Sequence, residues 1–181
     1  HRVRRPPFDV AIVGGGLAGL SLSILLAKAG RNVVLFEKEK YPFHKVCGEY
    51  VSMESWKFIE TLGFDLSNAG LPTINKLIVS SPNGHFIESE LGLGGFGISR
   101  YFLDNELKAI AINNQVTLFE ETKVNDVTCH NELFTIKYNG GETTASLVAR
   151  SFGKRNNLDV KSKRDFINKK PVLHITVKTS S

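Results

Sequence analysis

Near its start the chain passes from an apolar, β-branched stretch, Val10-Ala-Ile-Val13, directly into Gly14-Gly-Gly-Leu-Ala-Gly19 and then into a helical pattern. A short run without polar residues suits a strand covered on both faces of a parallel sheet. Gly14, Gly16 and Gly19 fall at the G-x-G-x-x-G spacing, and each has its own mechanical task. Gly14 makes the tight turn, Gly16 lets the backbone approach a pyrophosphate, and Gly19 lets the helix pack close to the strand. The helix predicted over 17–29 carries Leu17, Leu20, Ile24 and Leu25 as its apolar stripe and ends at Gly30, a C-cap glycine. Its first N–H groups and positive dipole end face the turn. A second strand, 32–36, runs into Glu37. That is about 20 residues past the glycines, where a dinucleotide fold sets a carboxylate on the adenosine ribose. The stretch therefore predicts a dinucleotide-binding βαβ unit.

Beyond Glu37 the pattern predicts a long loop over 38–49, a length that points to function in a compact α/β domain. A helix is predicted over 52–62, N-capped by Ser52, striped by Trp56, Phe58, Ile59 and Leu62, and ended by Gly63. Strands at 76–80 and 85–89, joined at Pro82-Asn-Gly84, form an antiparallel insertion near 71–97. The glycine-dense segment 91–97 is expected to be a loop or a place of close backbone approach. Its glycines have the wrong spacing for a second phosphate turn. A helix over 101–113 with Phe102, Leu103, Leu107, Ile110 and Ala111 on one face leads to a third parallel strand at 116–119. A meander of three strands follows, at 122–129, 133–138 and 143–150, with Asn139-Gly-Gly141 as the last tight turn. In the remaining residues, 171–177 alone reads as a strand. The expected organisation is an irregular lead-in over 1–7, an α/β Rossmann-like domain over 8–153, and a basic tail over 154–181.

Charge narrows the class further. The net charge of +5 divides into +3 from Arg2, Arg4 and Arg5, +7 from residues 150–181, and therefore −5 over residues 6–149. An acidic body with basic ends is not a nucleic-acid footprint, which gathers basic residues and stacking aromatics on one face. No apolar stretch reaches the ~18 residues of a membrane span. Cys47 and Cys129 are too few for a disulfide framework or a zinc site, and a reducing, cytoplasmic compartment is the expectation. No metal site is expected.

Taken together, Gly14-x-Gly16-x-x-Gly19, Glu37-Lys38, Pro42-Phe-His-Lys-Val-Cys-Gly-Glu49, and Ile98-Ser-Arg100 with Asp104 and Leu107 resemble the FAD-dependent oxidoreductases of the geranylgeranyl reductase type. These are relatives of the aromatic hydroxylase flavoproteins and tryptophan halogenases. The Lys-x-Cys-Gly segment about ten residues after the glutamate is the specific part of the match, which covers roughly residues 8–160. The resemblance implies FAD as cofactor, with its pyrophosphate on Gly14, Gly16, Leu17, Ala18 and Gly19 and its ribose on Glu37 beside Lys38. Lys45, Cys47 and Gly48 would lie along the flavin and ribityl chain. Arg100 would contact the cofactor from the start of its helix, and Val124 completes the implied set. Arg suits such a site because its guanidinium offers a bidentate fork to phosphate. A lone cysteine is more often a small buried hydrophobe than a reactive thiol; the resemblance makes Cys47 the candidate for a catalytic role. His44 reads as a solvated loop residue and Glu49 as an exposed carboxylate.

The departures are equally definite. Such enzymes are more than twice as long and carry a second, downstream FAD motif. Residues 149–156, Ala-Arg-Ser-Phe-Gly-Lys-Arg-Asn, match the stretch Gly-Ala-Asp-Gly-x-x-Ser imperfectly, with Arg150, Ser151, Phe152 and Asn156 as the departures. The chain therefore looks like the N-terminal FAD half of an oxidoreductase. The implied substrate is apolar, in the family's case isoprenoid, and NAD(P)H is the implied electron donor. Two alternatives stay open at this point, a non-catalytic nucleotide-binding fragment and an NAD-binding dehydrogenase domain. Peripheral membrane contact and oligomeric state also stay open.

Overall fold

A computed structural model describes residues 6–47, 49–151 and 153. The strand expected at 171–177, the basic tail and Gly48 lie outside the described residues. The chain divides into two compact units, the described parts being residues 6–43 with 104–153, and residues 44–103.

The first unit is built on a six-stranded sheet. Strand β1 (Phe8–Val13) is followed by helix α1 (Leu17–Lys28) and strand β2 (Val33–Phe36). Later come β6 (Thr117–Phe119), β7 (Val124–His130), β8 (Leu133–Tyr138) and β9 (Gly141–Arg150). Their spatial order is β6-β2-β1-β9-β8-β7. β1, β2, β6 and β9 are mutually parallel, while β7, β8 and β9 form an antiparallel meander. The expected α/β Rossmann-like domain, with a central parallel sheet and a meander, is thus the observed one. β9 does double duty, ending the meander and pairing with β1 from Phe8↔Ala145 to Val13↔Arg150.

Both central strands bury every residue from Val10 to Val13 and from Val33 to Phe36. Each such aliphatic or aromatic side chain contributes about 1.5–3 kcal/mol on leaving water. Ala11, Val13, Val34 and Phe36 on one face close a core with Val124, Ile136 and Ala145. Phe36 stacks on Phe119 at 5.4 Å and meets Tyr138 at 5.1 Å.

Helix α1 departs from the expected stripe at Leu25, which is 41% exposed. Leu20 and Ile24, one turn apart, are fully buried, and Leu25 stands about 100° further round the helix, beyond that stripe. The inner face is completed by small residues, Gly19, Ser21 and Ser23. Ser23 is tolerated there because its hydroxyl donates to the Leu20 carbonyl at 2.7 Å.

The second unit holds β3 (Tyr50–Ser52), α2 (Trp56–Leu62), β4 (Thr73–Ser80) and β5 (Phe86–Gly97). The strands form one antiparallel sheet in the order β3-β5-β4. The insertion expected near 71–97 therefore lies within a larger unit. Ser52 caps a short 3₁₀ turn, Met53–Ser55, by accepting the Glu54 N–H, and the α-helix itself begins only at Trp56. Gly63 ends it at φ 108°, as expected of a left-handed C-cap. Phe58, expected in the stripe, is exposed, whereas Ile59 and Leu62 are buried.

The segment 91–97 is not a loop. β5 runs through it, and close approach is the feature that holds: a Cβ on Gly95 would run into the Tyr50 ring and lie 2.5 Å from the Val51 carbonyl oxygen. A helix, α3 (Arg100–Asn113), continues from the second unit into the first. Leu103, Leu107 and Ala111 lie on its buried face; Phe102, expected there, is exposed.

Candidate cofactor site

The expected phosphate turn follows β1 directly. Gly14 sits at φ 107°, a conformation that a Cβ would strain. Gly16 is the N-cap of α1, with extended backbone and no side-chain cap. The first turn of that helix contains no acidic residue. Its leading N–H groups have no intrahelical partner by construction, so this end suits an anion. Gly19 packs as the spacing demands: a Cβ there would be driven into the Gly14 carbonyl and would lie 2.7 Å from the Ser151 Oγ.

Glu37 follows β2 and is only 6% exposed. Its Oε2 accepts the Gly15 N–H at 2.8 Å, and its Oε1 accepts the Glu39 N–H at 3.0 Å. An ionised carboxylate has roughly four acceptor positions. Two backbone donors therefore orient the group and leave acceptor capacity for sugar hydroxyls. A buried, pre-oriented carboxylate beside an uncapped helix N-terminus fits the ribose and pyrophosphate of a dinucleotide.

Two residues of this region were not legible as site residues. The Tyr41 hydroxyl donates to the Gly15 carbonyl, and the Tyr41 side chain is buried. Ser151, just past β9, donates from its N–H to the Val13 carbonyl at 2.8 Å and from its Oγ to the Gly14 carbonyl at 2.5 Å. Gly15 is thereby constrained as well, since a Cβ on it would run into the Tyr41 hydroxyl and lie 3.0 Å from the Glu37 Cβ. A tyrosine four residues past the glutamate was the available signal for Tyr41. Ser151 could be found only once the register Val13↔Arg150 was known.

The other expected residues are distributed as follows. Lys38 is exposed and 3.7 Å from Glu39. Val124 lies in the core of the first unit, its side chain packed with Phe36 and Ile136 rather than presented at a surface. Leu17 is half-buried and Ala18 exposed at the start of α1. Lys45, Cys47 and Arg100 belong to the second unit. Cys47 is an exposed free thiol whose Sγ accepts the Glu49 N–H at 3.4 Å, so the buried-hydrophobe reading of this cysteine does not hold. Arg100 is the first residue of α3. His44 is exposed and stacks on Tyr101 at 4.7 Å, and Glu49 is exposed at φ 55°. No helix among the described residues is long and apolar enough to cross a membrane.

A parallel sheet that opens with this turn, a buried carboxylate after its second strand and a closing meander define a dinucleotide-binding domain. Comparison with known proteins gives the family: the FAD binding domain profile matches residues 7–156, and the chain belongs to that family, whose cofactor is FAD. A protein of Methanosarcina barkeri is 27% identical over 157 residues, covering 80% of this chain and 40% of that protein. A menaquinone reductase of Mycolicibacterium smegmatis is 27% identical over 127 residues, covering 66% and 30%. Among solved structures, the halogenase PltM in complex with phloroglucinol and FAD matches with a TM-score of 0.71 and 18% identity, covering 86% of this chain and 36% of its own. At that identity the likeness concerns the fold. The chain spans 40% or less of each of these relatives.

Proposed function

We propose that this chain is the FAD-binding portion of a flavin-dependent oxidoreductase of the geranylgeranyl reductase type, acting on an apolar, isoprenoid-like substrate with NAD(P)H as electron donor in a reducing, cytoplasmic compartment. The observation that carries the FAD part is the glycine turn with Glu37 fixed against Gly15, within a chain whose family is defined by FAD. Support for the finer reading comes from the Pro42–Glu49 segment with its Cys47 and from a menaquinone reductase among the relatives. FAD, when bound, supplies the redox chemistry; the protein supplies position and electrostatics. Gly14 to Gly19 would hold the pyrophosphate, and Glu37 the ribose. In this reading Lys45, Cys47, Gly48 and Arg100 would also contact the cofactor, as the resemblance implies, with Cys47 the side chain nearest to a chemical role. Family membership decides against an NAD-only dehydrogenase.

The purified chain is expected to be yellow, to release flavin on denaturation, and to lose it in the Gly16→Val variant. A colourless protein that takes up no added FAD would sink the reading. Oxidation of NAD(P)H by the FAD-loaded chain distinguishes the oxidoreductase from a non-catalytic nucleotide-binding portion.

A further inference from the structure

Resting on the FAD reading above, we infer that Tyr41 and Ser151 are positioning residues for pyrophosphate recognition, which set the two peptide planes of the glycine turn from the loop after β2 and from the end of β9.

Consecutive glycines determine their own backbone least of any sequence. Donors that must meet a phosphate therefore need orientation from outside the turn. The Gly14–Gly15 peptide is gripped on both edges: its N–H donates to Glu37 Oε2 at 2.8 Å and its carbonyl accepts from Ser151 Oγ at 2.5 Å. In a trans peptide these two groups point in opposite directions, so the two contacts fix one plane. The next plane is set by the Tyr41 hydroxyl, which holds the Gly15 carbonyl. The Gly16 N–H is consequently turned away from Tyr41.

Both anchors are themselves held. The Tyr41 N–H donates to Glu120 Oε1 at 2.8 Å, Glu120 pairs with Lys108 at 3.1 Å, and the Lys108 Nζ lies 5.6 Å from the centre of the Tyr41 ring. Ser151 follows Arg150, the last residue of β9, and its own N–H is bonded to Val13. Neither side chain needs to touch the cofactor. Each acts through a glycine carbonyl.

The test uses the full chain and the variants Tyr41→Phe and Ser151→Ala, titrated with FAD and with ADP at a temperature where melting curves show all three proteins folded. Stability then does not enter the dissociation constant. Each variant is expected to bind both FAD and ADP about five- to tenfold more weakly, the effect of one lost hydrogen bond. Binding of adenosine, which presents a ribose and no pyrophosphate, is expected to stay within twofold of wild type. Lower melting midpoints with FAD and ADP affinities unchanged would make both residues merely structural and overturn the inference. An equal loss for adenosine would overturn it too, by placing the effect at Glu37. If Tyr41→Phe does not fold, Ser151→Ala carries the same test on the neighbouring plane. A wild-type chain that binds neither FAD nor ADP would instead strike the FAD reading itself.

Discussion

β1 in the first unit and β5 in the second both carry large apolar side chains, yet Ile12 is fully covered while Ile87 is 74% and Phe86 66% exposed. The difference follows from neighbours. β1 lies between β2 and β9, and each residue from Val10 to Val13 is covered on either face of the sheet. β5 has β3 beside it only over Gly95–Gly97, where Gly95 and Phe96 are buried; over Phe86–Glu90 it pairs with β4 alone. A two-stranded ribbon buries little by itself. Pattern reports the intention to bury, and the number of flanking strands decides whether burial happens.

The largest effect is expected at Gly19. Gly19→Ala forces a Cβ into the Gly14 carbonyl, and the helix must shift off β1, at a cost of about 3 kcal/mol. Denaturant unfolding followed by circular dichroism, with an FAD titration beside it, should show lost stability and lost binding together. Unchanged binding would mean that helix and turn are not packed as described. Next comes Glu37→Gln, which sets an amide N–H₂ against one of two backbone donors, the buried Gly15 N–H or the part-buried Glu39 N–H. Loss of a charge-assisted acceptor predicts about tenfold or more weaker FAD binding and about 2 kcal/mol lower stability.

In the second unit, Gly95→Ala crowds Tyr50 and Val51, and about 1–2 kcal/mol is expected to go. Emission from Trp56, the sole tryptophan, reads this directly because Trp56 meets Phe96 edge-on at 5.0 Å. Ile87→Ser should change stability by no more than about 0.5 kcal/mol, read as the urea midpoint. A large stability loss there would reveal a cover on β5 and erase the contrast between the strands.

The smallest effect belongs to Lys76, which lies 2.6 Å from Glu88 and 3.8 Å from Glu90 across the ribbon. The hydrogen bond and charge of Glu88, then the charge of Glu90, raise its pKa. A raised folded value means that the contribution is present at neutral pH and fades as pH climbs through that value. The gap between wild type and Lys76→Met in urea midpoint should be slight at pH 8 and shrink as pH climbs above the ordinary lysine value of 10.5; a gap that widens would contradict the sign.

Much of the first unit was legible because its signals are local. The run Val10–Val13, the glycine spacing, Gly30 and the Asn139-Gly-Gly141 turn each fix a short piece of backbone without reference to the rest of the chain. What escaped was long-range. Nothing in residues 141–150 says that this meander strand will also lie parallel to β1. Without that register Ser151 has no visible address. Leu25 and Phe58 misled for a related reason: an apolar residue at the rim of a helical stripe is buried only if a neighbour reaches it. In the glycine-rich part of β5, propensity argued for a loop, and tertiary pairing with Tyr50–Ser52 overrode it. Tyr41 was hidden because its contact depends on how the loop folds back after Glu37.

The bond from Ser151 to Gly14 spans 137 residues. At synthesis rates of about 5–20 residues per second, the turn emerges roughly 7–27 s before the hydroxyl that will hold it. β9 must also insert between β1 and β8, a non-local pairing of the kind that slows folding. Within this sheet the turn that follows β1 is therefore completed only once β9 has paired. A nascent chain carries the glycine turn exposed, unable to grip its ligand firmly until the end of β9 has arrived.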